Sequence, residues 1–126
     1  MQLNDFKVVA VLAVSDLARA KEFYEGKLGL SGEQMGDGGM TYPCAEGTSV
    51  HVYATPHARP TEASAAGWEV DDLNAVVDEL SSNGVSFEQY SELNTNEKGI
   101  ADMGAVTAAW CKDPDGNVIG FLQPTS

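Results

Sequence analysis

The chain has 126 residues, near the roughly 150 of a typical domain and enough to bury a core without disulfide staples. Seven Lys and Arg against nineteen Asp and Glu leave a net charge of −12. That balance excludes the clustered positive charge which phosphate backbones and anionic membrane surfaces require, so neither nucleic acid nor membrane is expected as a partner. No stretch approaches the roughly 18 apolar residues of a membrane span, and the apolar run from Val8 to Val14 is too short for a secretory signal. Cys44 and Cys111 stand outside any CxxC pattern and read as reduced thiols of a cytoplasmic protein.

In chain order, Lys7 to Val14 reads as a strand, Ser15 or Asp16 as a helix cap, and Leu17, Ala20, Phe23, Tyr24 and Leu28 as the buried stripe of a helix that stops at Gly29. Gly36 to Gly39 reads as a turn. Strands follow at Met40 to Ala45 and Ser49 to Thr55, joined at Glu46-Gly47. The proline-bearing segment from Thr55 to Ser64 is a connector, in which His57 is expected to be exposed. The plan then restarts. Ala65 to Val70 is a strand, Asp71-Asp72 a cap, and Leu73, Val76, Val77 and Leu80 a helix stripe ending near Asn83-Gly84. Val85 to Leu93, Ala105 to Lys112 and Val118 to Gln123 read as strands, with Asn94 to Met103 a polar loop and Asp113-Pro114-Asp115-Gly116 a turn.

Two offsets tie the halves together. Val14 to Leu17 overlies Val70 to Leu73 at an offset of 56, and Glu46 to Val50 overlies Asp115 to Ile119 at an offset of 69. Each half is therefore a βαβββ module, the first spanning residues 1–57 and the second 64–126. One helix over one sheet buries too little alone, so the fold class is α+β, with two modules forming a curved mixed sheet around a concave cavity. Exposed sheet edges favour a homodimer.

The runs VSDLARAKEFYEGKLGL, WEVDDLNAVVDEL and WCKDPDGNVIGFLQ resemble the vicinal oxygen chelate superfamily, which includes glyoxalases, bleomycin-resistance proteins, extradiol dioxygenases and fosfomycin-resistance enzymes. In its metal-using members four strand positions supply ligands. Carried over through the motifs and the repeat, these fall on Val9, His51, Ala65 and Gly120. Only His51 can bind a metal, whereas a transition ion needs about three protein ligands, so neither metal nor other cofactor is expected.

If the resemblance places Val9 on the concave face, strand alternation adds Val11 and Ala13, with Val8, Ala10, Leu12 and Val14 toward the helices. The same parity places Ser49, His51 and Tyr53 inward, and likewise Ala65, Gly67 and Glu69, with Trp68 on the helix side. Trp110 occupies a position where the dioxygenase members carry an inward aromatic residue. Its neighbours Ala108 and Gly120 leave room for a ligand, while Cys111, of opposite parity, packs inertly. Met35, Met40 and Met103 offer adaptable apolar walls near loops.

These residues suggest a metal-free small-molecule-binding protein similar to the drug-sequestering bleomycin-resistance branch, a resemblance that carries antibiotic resistance with it. Trp110 and Tyr53 would stack on a planar ligand, His51 would hydrogen-bond it, and Glu69 would favour a cationic one. The alternative is a glyoxalase-like lyase, isomerase or hydrolase in which His51 is the catalytic general base.

Overall fold

Asp16 and Asp72, 56 positions apart, cap the two helices in the same way: each carboxylate accepts the backbone N–H three residues on, from Arg19 and Ala75, at 3.1 Å. In the computed structural model, which describes residues 1–125, each cap sits between a strand and a helix. Strand β1 (Ala10–Val14) leads into α1 (Leu17–Lys21), which widens into a π-helical stretch over Glu22–Lys27. Then come β2 (Glu33–Met35), β3 (Gly39–Pro43) and β4 (Ser49–Ala54). The second half contains β5 (Ser64–Glu69), α2 (Leu73–Ser82), β6 (Ala101–Asp102), β7 (Val106–Lys112) and β8 (Val118–Pro124).

The strands form two four-stranded sheets, ordered β1-β4-β3-β2 and β5-β8-β7-β6. In each, the first pair is parallel and the others antiparallel, giving the α+β architecture of paired βαβββ units. The registers obey both sequence offsets: Val11 pairs with His51, and Gly67 (11 + 56) pairs with Gly120 (51 + 69). Thr41 lies opposite His51 as Trp110 (41 + 69) lies opposite Gly120. A bulge between Ser64 and Ala66 leaves Ala65 outside the pairing.

Alternation decides which side chains enter the core. Leu12 and Val14 are fully buried, while Val11, next to Leu12 on the opposite face, is 57% exposed. Leu12, Val14, Tyr24 and Tyr42 from the first half share one apolar cluster with Leu73, Val77, Ile119 and Phe121 from the second. Trp68 stacks on Phe121 with ring centroids 5.9 Å apart and joins this cluster, as its parity requires. His57 is exposed.

The turn between β7 and β8 locks the halves together. Asn117 Nδ2 donates to the carbonyl of Ala13 at 2.9 Å and to Asp113 Oδ2 at 2.8 Å. The Ser15 backbone N–H donates to Asp115 Oδ1 at 3.1 Å, with the Arg19 guanidinium 3.5 Å from the same oxygen. The π-helical stretch buries Tyr24 and delivers its hydroxyl to Asp113. Burial foremost, then the Asp113 charge and hydrogen bond, hold the Tyr24 phenol well above its ordinary pKa.

Several boundaries differ from the sequence expectations. The first strand begins at Ala10 rather than Lys7, with Val8 exposed. Glu33–Met35 forms an edge strand despite a sequence with little β-propensity, because it pairs with β3 across the Gly36–Gly39 turn. Val85 to Leu93 is not a strand: the Glu88 N–H bonds the Trp110 carbonyl at 2.8 Å, and Ser91–Leu93 then turns as a 3₁₀ helix. Farther along β7 the same edge is taken by Ala101–Asp102, inside the segment expected to be a loop. Ile100 and Ala101 are buried there, anchoring an otherwise polar run. Met40 is buried in the core rather than forming a loop wall.

Candidate functional site

On the open face of the second sheet, Ala65, Gly67, Glu69, Ala108, Trp110 and Gly120 line one pocket of about 570 Å³. Its floor is small because two glycines lie side by side in β5 and β8. A Cβ at Gly67 would stand 3.2 Å from the Gly120 carbonyl oxygen. One at Gly120 would meet Trp110 Cδ1 at 3.3 Å and Nε1 at 3.4 Å, so the indole lies over the glycine and walls the pocket. The Tyr90 ring supports the indole edge-on, with centroids 5.6 Å apart and planes at 77°. Beyond Trp110 a further hollow of about 250 Å³ carries Glu62, Glu92 and Tyr90. Burial foremost, then the charges of Glu88 and Glu92, raises the Tyr90 phenol above its ordinary pKa.

Ser64, Ala66, Val106, Phe121 and Leu122 also line the main pocket and were not singled out in the sequence as pocket residues. Alternation from Gly120 reaches Leu122, and from Ala108 it reaches Val106. Ser64 turns inward because of the bulge, a departure that period-two reading cannot anticipate. Met103 does provide the apolar wall expected of it, whereas Met35 lies exposed on the edge strand of the first sheet.

Of the other five expected residues, Val11, Ser49, His51 and Tyr53 lie on the first sheet and Val9 just before its first strand, none of them in that pocket. Val9, Val11 and Tyr53 are exposed; Ser49 and His51 are half-buried. The His51 ring is held between two hydroxyls, with Thr41 Oγ1 3.4 Å from Nδ1 and Ser49 Oγ 3.3 Å from Nε2. Both ring nitrogens therefore already face a partner. Cys111 is fully buried, and burial first, then Asp113 and Glu88, pushes its thiol pKa up to about 12, which leaves it protonated and inert.

At the positions that the resemblance assigns to a metal, Val9, Ala65 and Gly120 have no donor side chain and His51 has one. Among the described residues no group of three His, Cys, Asp or Glu side chains is placed to hold an ion. The residues present do not fit a divalent transition metal. Nor, among the described residues, is any helix long and apolar enough to cross a membrane.

This fold recurs in known structures. The antibiotic-binding protein TnmS3 from Streptomyces sp. CB03234 is 25% identical, with a TM-score of 0.73 over 95% of this chain and 96% of that one. A glyoxalase family protein from Bacillus anthracis superposes with a TM-score of 0.75 at 16% identity, over 95% of both chains. The fosfomycin resistance protein FosX from Listeria monocytogenes shares the fold at 11% identity and a TM-score of 0.70, over 95% of this chain and 93% of its own. No curated protein sequence matches the chain. Residues 7–121 match the family model described as Glyoxalase/Bleomycin resistance protein/Dioxygenase superfamily, and the chain belongs to that superfamily.

Proposed function

We propose that the protein binds a small planar molecule without metal, in the manner of an antibiotic-binding protein, and that Trp110 is the stacking surface. The observation that carries this reading is the indole laid over Gly120 beside a pocket floored by glycine and alanine. Such a floor leaves flat space where larger side chains would fill a core. Glu69 at the pocket wall and the −12 charge of the chain favour a ligand bearing a positive group. The likeness to TnmS3, described as antibiotic-binding, supports the same class.

Val9, Val11, Ser49, His51 and Tyr53 belong to the binding surface through a second copy, whose first sheet covers the pocket of its partner in a cytoplasmic homodimer. Support comes from the apolar exposure of that face, where Val11 is 57% and Tyr53 44% accessible. General-base catalysis by His51 is the weaker reading, since its ring is already engaged by Thr41 and Ser49.

Fluorescence titration with proflavine, a planar aromatic cation, tests the proposal. Trp110→Ala should weaken binding by about 1 to 3 kcal/mol, roughly 5- to 150-fold, with folding retained. Equal affinity of wild type and variant would reject the assignment. Light scattering that shows a monomer at micromolar concentration would reject the dimer.

A further inference from the structure

The halves meet at two junctions related by the same offsets, and only one is locked. At the locked junction Asn117 reaches the Ala13 carbonyl, Asp115 accepts from the Ser15 N–H, and Asp113 accepts from the Tyr24 hydroxyl. At the other junction the same offsets make Thr48, Glu46 and Cys44 of the turn between β3 and β4 the counterparts of residues 117, 115 and 113 (each less 69), and Glu69, Asp71 and Leu80 the counterparts of residues 13, 15 and 24 (each plus 56). Among the described residues none of the three bonds recurs. Thr48 Oγ1 turns back to the Ala45 carbonyl at 2.7 Å, Cys44 Sγ donates to the Tyr42 carbonyl at 3.5 Å, and Leu80 has no hydroxyl to offer. Instead Cys44, Glu46, Thr48 and Glu69 line a cavity of about 370 Å³.

We propose that this open junction is a second binding site, adjoining the Trp110 pocket and sharing Gly67 and Glu69 with it, for a small aromatic ammonium ion. Val8, Ala10, Val50 and Trp68 form apolar walls for the ring, and Glu46 and Glu69 line the same cavity. Neither glutamate forms an ion pair among the described residues. The locked junction shows what the open one lacks: an N–H donor directed at the strand carbonyl, which at this junction belongs to Glu69. An ammonium group supplies that donor and neutralises the carboxylates together, whereas a neutral or anionic ligand does not. The volume lies within the roughly 300 to 1,000 Å³ of small-molecule sites.

Phenethylammonium is the probe, phenethyl alcohol its neutral twin, and backbone amide NMR shifts the readout. Saturable shifts are expected in residues 44–50 and at Trp68, which line the open junction and not the Trp110 pocket, in wild type and in Trp110→Ala alike, with the alcohol binding about tenfold or more weakly. Thr48→Asn inserts the carboxamide found at the locked junction. It should raise the melting temperature and weaken the probe by about tenfold or more. Glu46→Gln, at an exposed turn residue, should weaken it by about threefold without altering the melt. Shifts confined to the neighbourhood of Trp110, equal binding of the alcohol, or undiminished binding by Thr48→Asn would each overturn the proposal.

Discussion

Tyr24 donates its phenolic proton to Asp113 Oδ2 at 2.7 Å across 89 positions of sequence, and both side chains are buried. Tyr24→Phe keeps the ring and removes one of the partners of this carboxylate, leaving it the Asn117 side chain and the backbone amides of Asp115 and Asn117. A hydrogen bond to a charged group is worth about 1.5 to 3 kcal/mol, so urea denaturation at neutral pH should show a loss in that range. The pH dependence follows from the raised phenol. Above the ordinary value of 10.0 the unfolded chain gives up this proton while the folded one keeps it. Stability conferred by Tyr24 is thus complete below that pH and lost as pH rises above it. Tyr24→Phe should flatten that alkaline decline, and an unchanged slope would show that the hydroxyl plays no such part.

Asn117 and Thr48 offer a matched comparison of the locked and open junctions. Asn117→Ala removes bonds to Ala13 and Asp113 from a buried site and should cost about 1 to 3 kcal/mol. Thr48→Ala removes only a bond within its own exposed turn and should stay within about 0.5 kcal/mol of wild type. Thermal melts that rank the two in the opposite order would contradict the structural asymmetry.

The two tryptophans should separate in stability. Trp68, although it walls the open junction, packs on Phe121 against the shared core, whereas Trp110 is not part of that cluster and is braced by Tyr90 at the pocket wall. Trp68→Ala should lower stability by about 3 to 5 kcal/mol, a large share of the roughly 5 to 15 that holds a domain together. Trp110→Ala should cost clearly less, as measured by guanidinium denaturation. A greater loss at Trp110 would place it among the core fillers.

Thiol chemistry supplies an independent check on strand parity in β7. Cys111 is fully buried with its pKa pushed up to about 12, while Cys44 is half-buried and lines the open junction. With a disulfide reagent at neutral pH, Cys44 should react in the native state and Cys111 only on unfolding. Equal rates in the Cys44→Ser and Cys111→Ser variants would contradict that burial.

Much of this architecture is legible in the sequence because it repeats. The two offsets predict the pairing of Gly67 with Gly120 from that of Val11 with His51, and the parity they carry correctly separates Leu12 from Val11 and Trp68 from Trp110. Interactions between the halves are less legible. Nothing in the periodicity around Tyr24 signals a partner at Asp113, since that contact depends on a π-helical widening of the helix and on a turn 89 residues away. The inward Ser64 is hidden for a related reason: a single bulged residue at Ala65 interrupts the alternation. The edge of β7 escapes the reading too, because Ala101–Asp102 claims it from within a polar segment through tertiary packing.

The locked junction is a plug and socket whose parts lie on different halves. Asp113, Asp115 and Asn117 form the plug; the Ala13 carbonyl, the Ser15 amide and the Tyr24 hydroxyl form the socket. A chain joining two copies of the second half would carry two plugs and, with Leu80 where Tyr24 stands, no phenol for either buried aspartate. Two copies of the first half would carry sockets with Thr48 and Cys44 as poor plugs. The halves have thus become complementary partners rather than interchangeable copies, and the molecule's internal symmetry survives in its strands but no longer in its assembly.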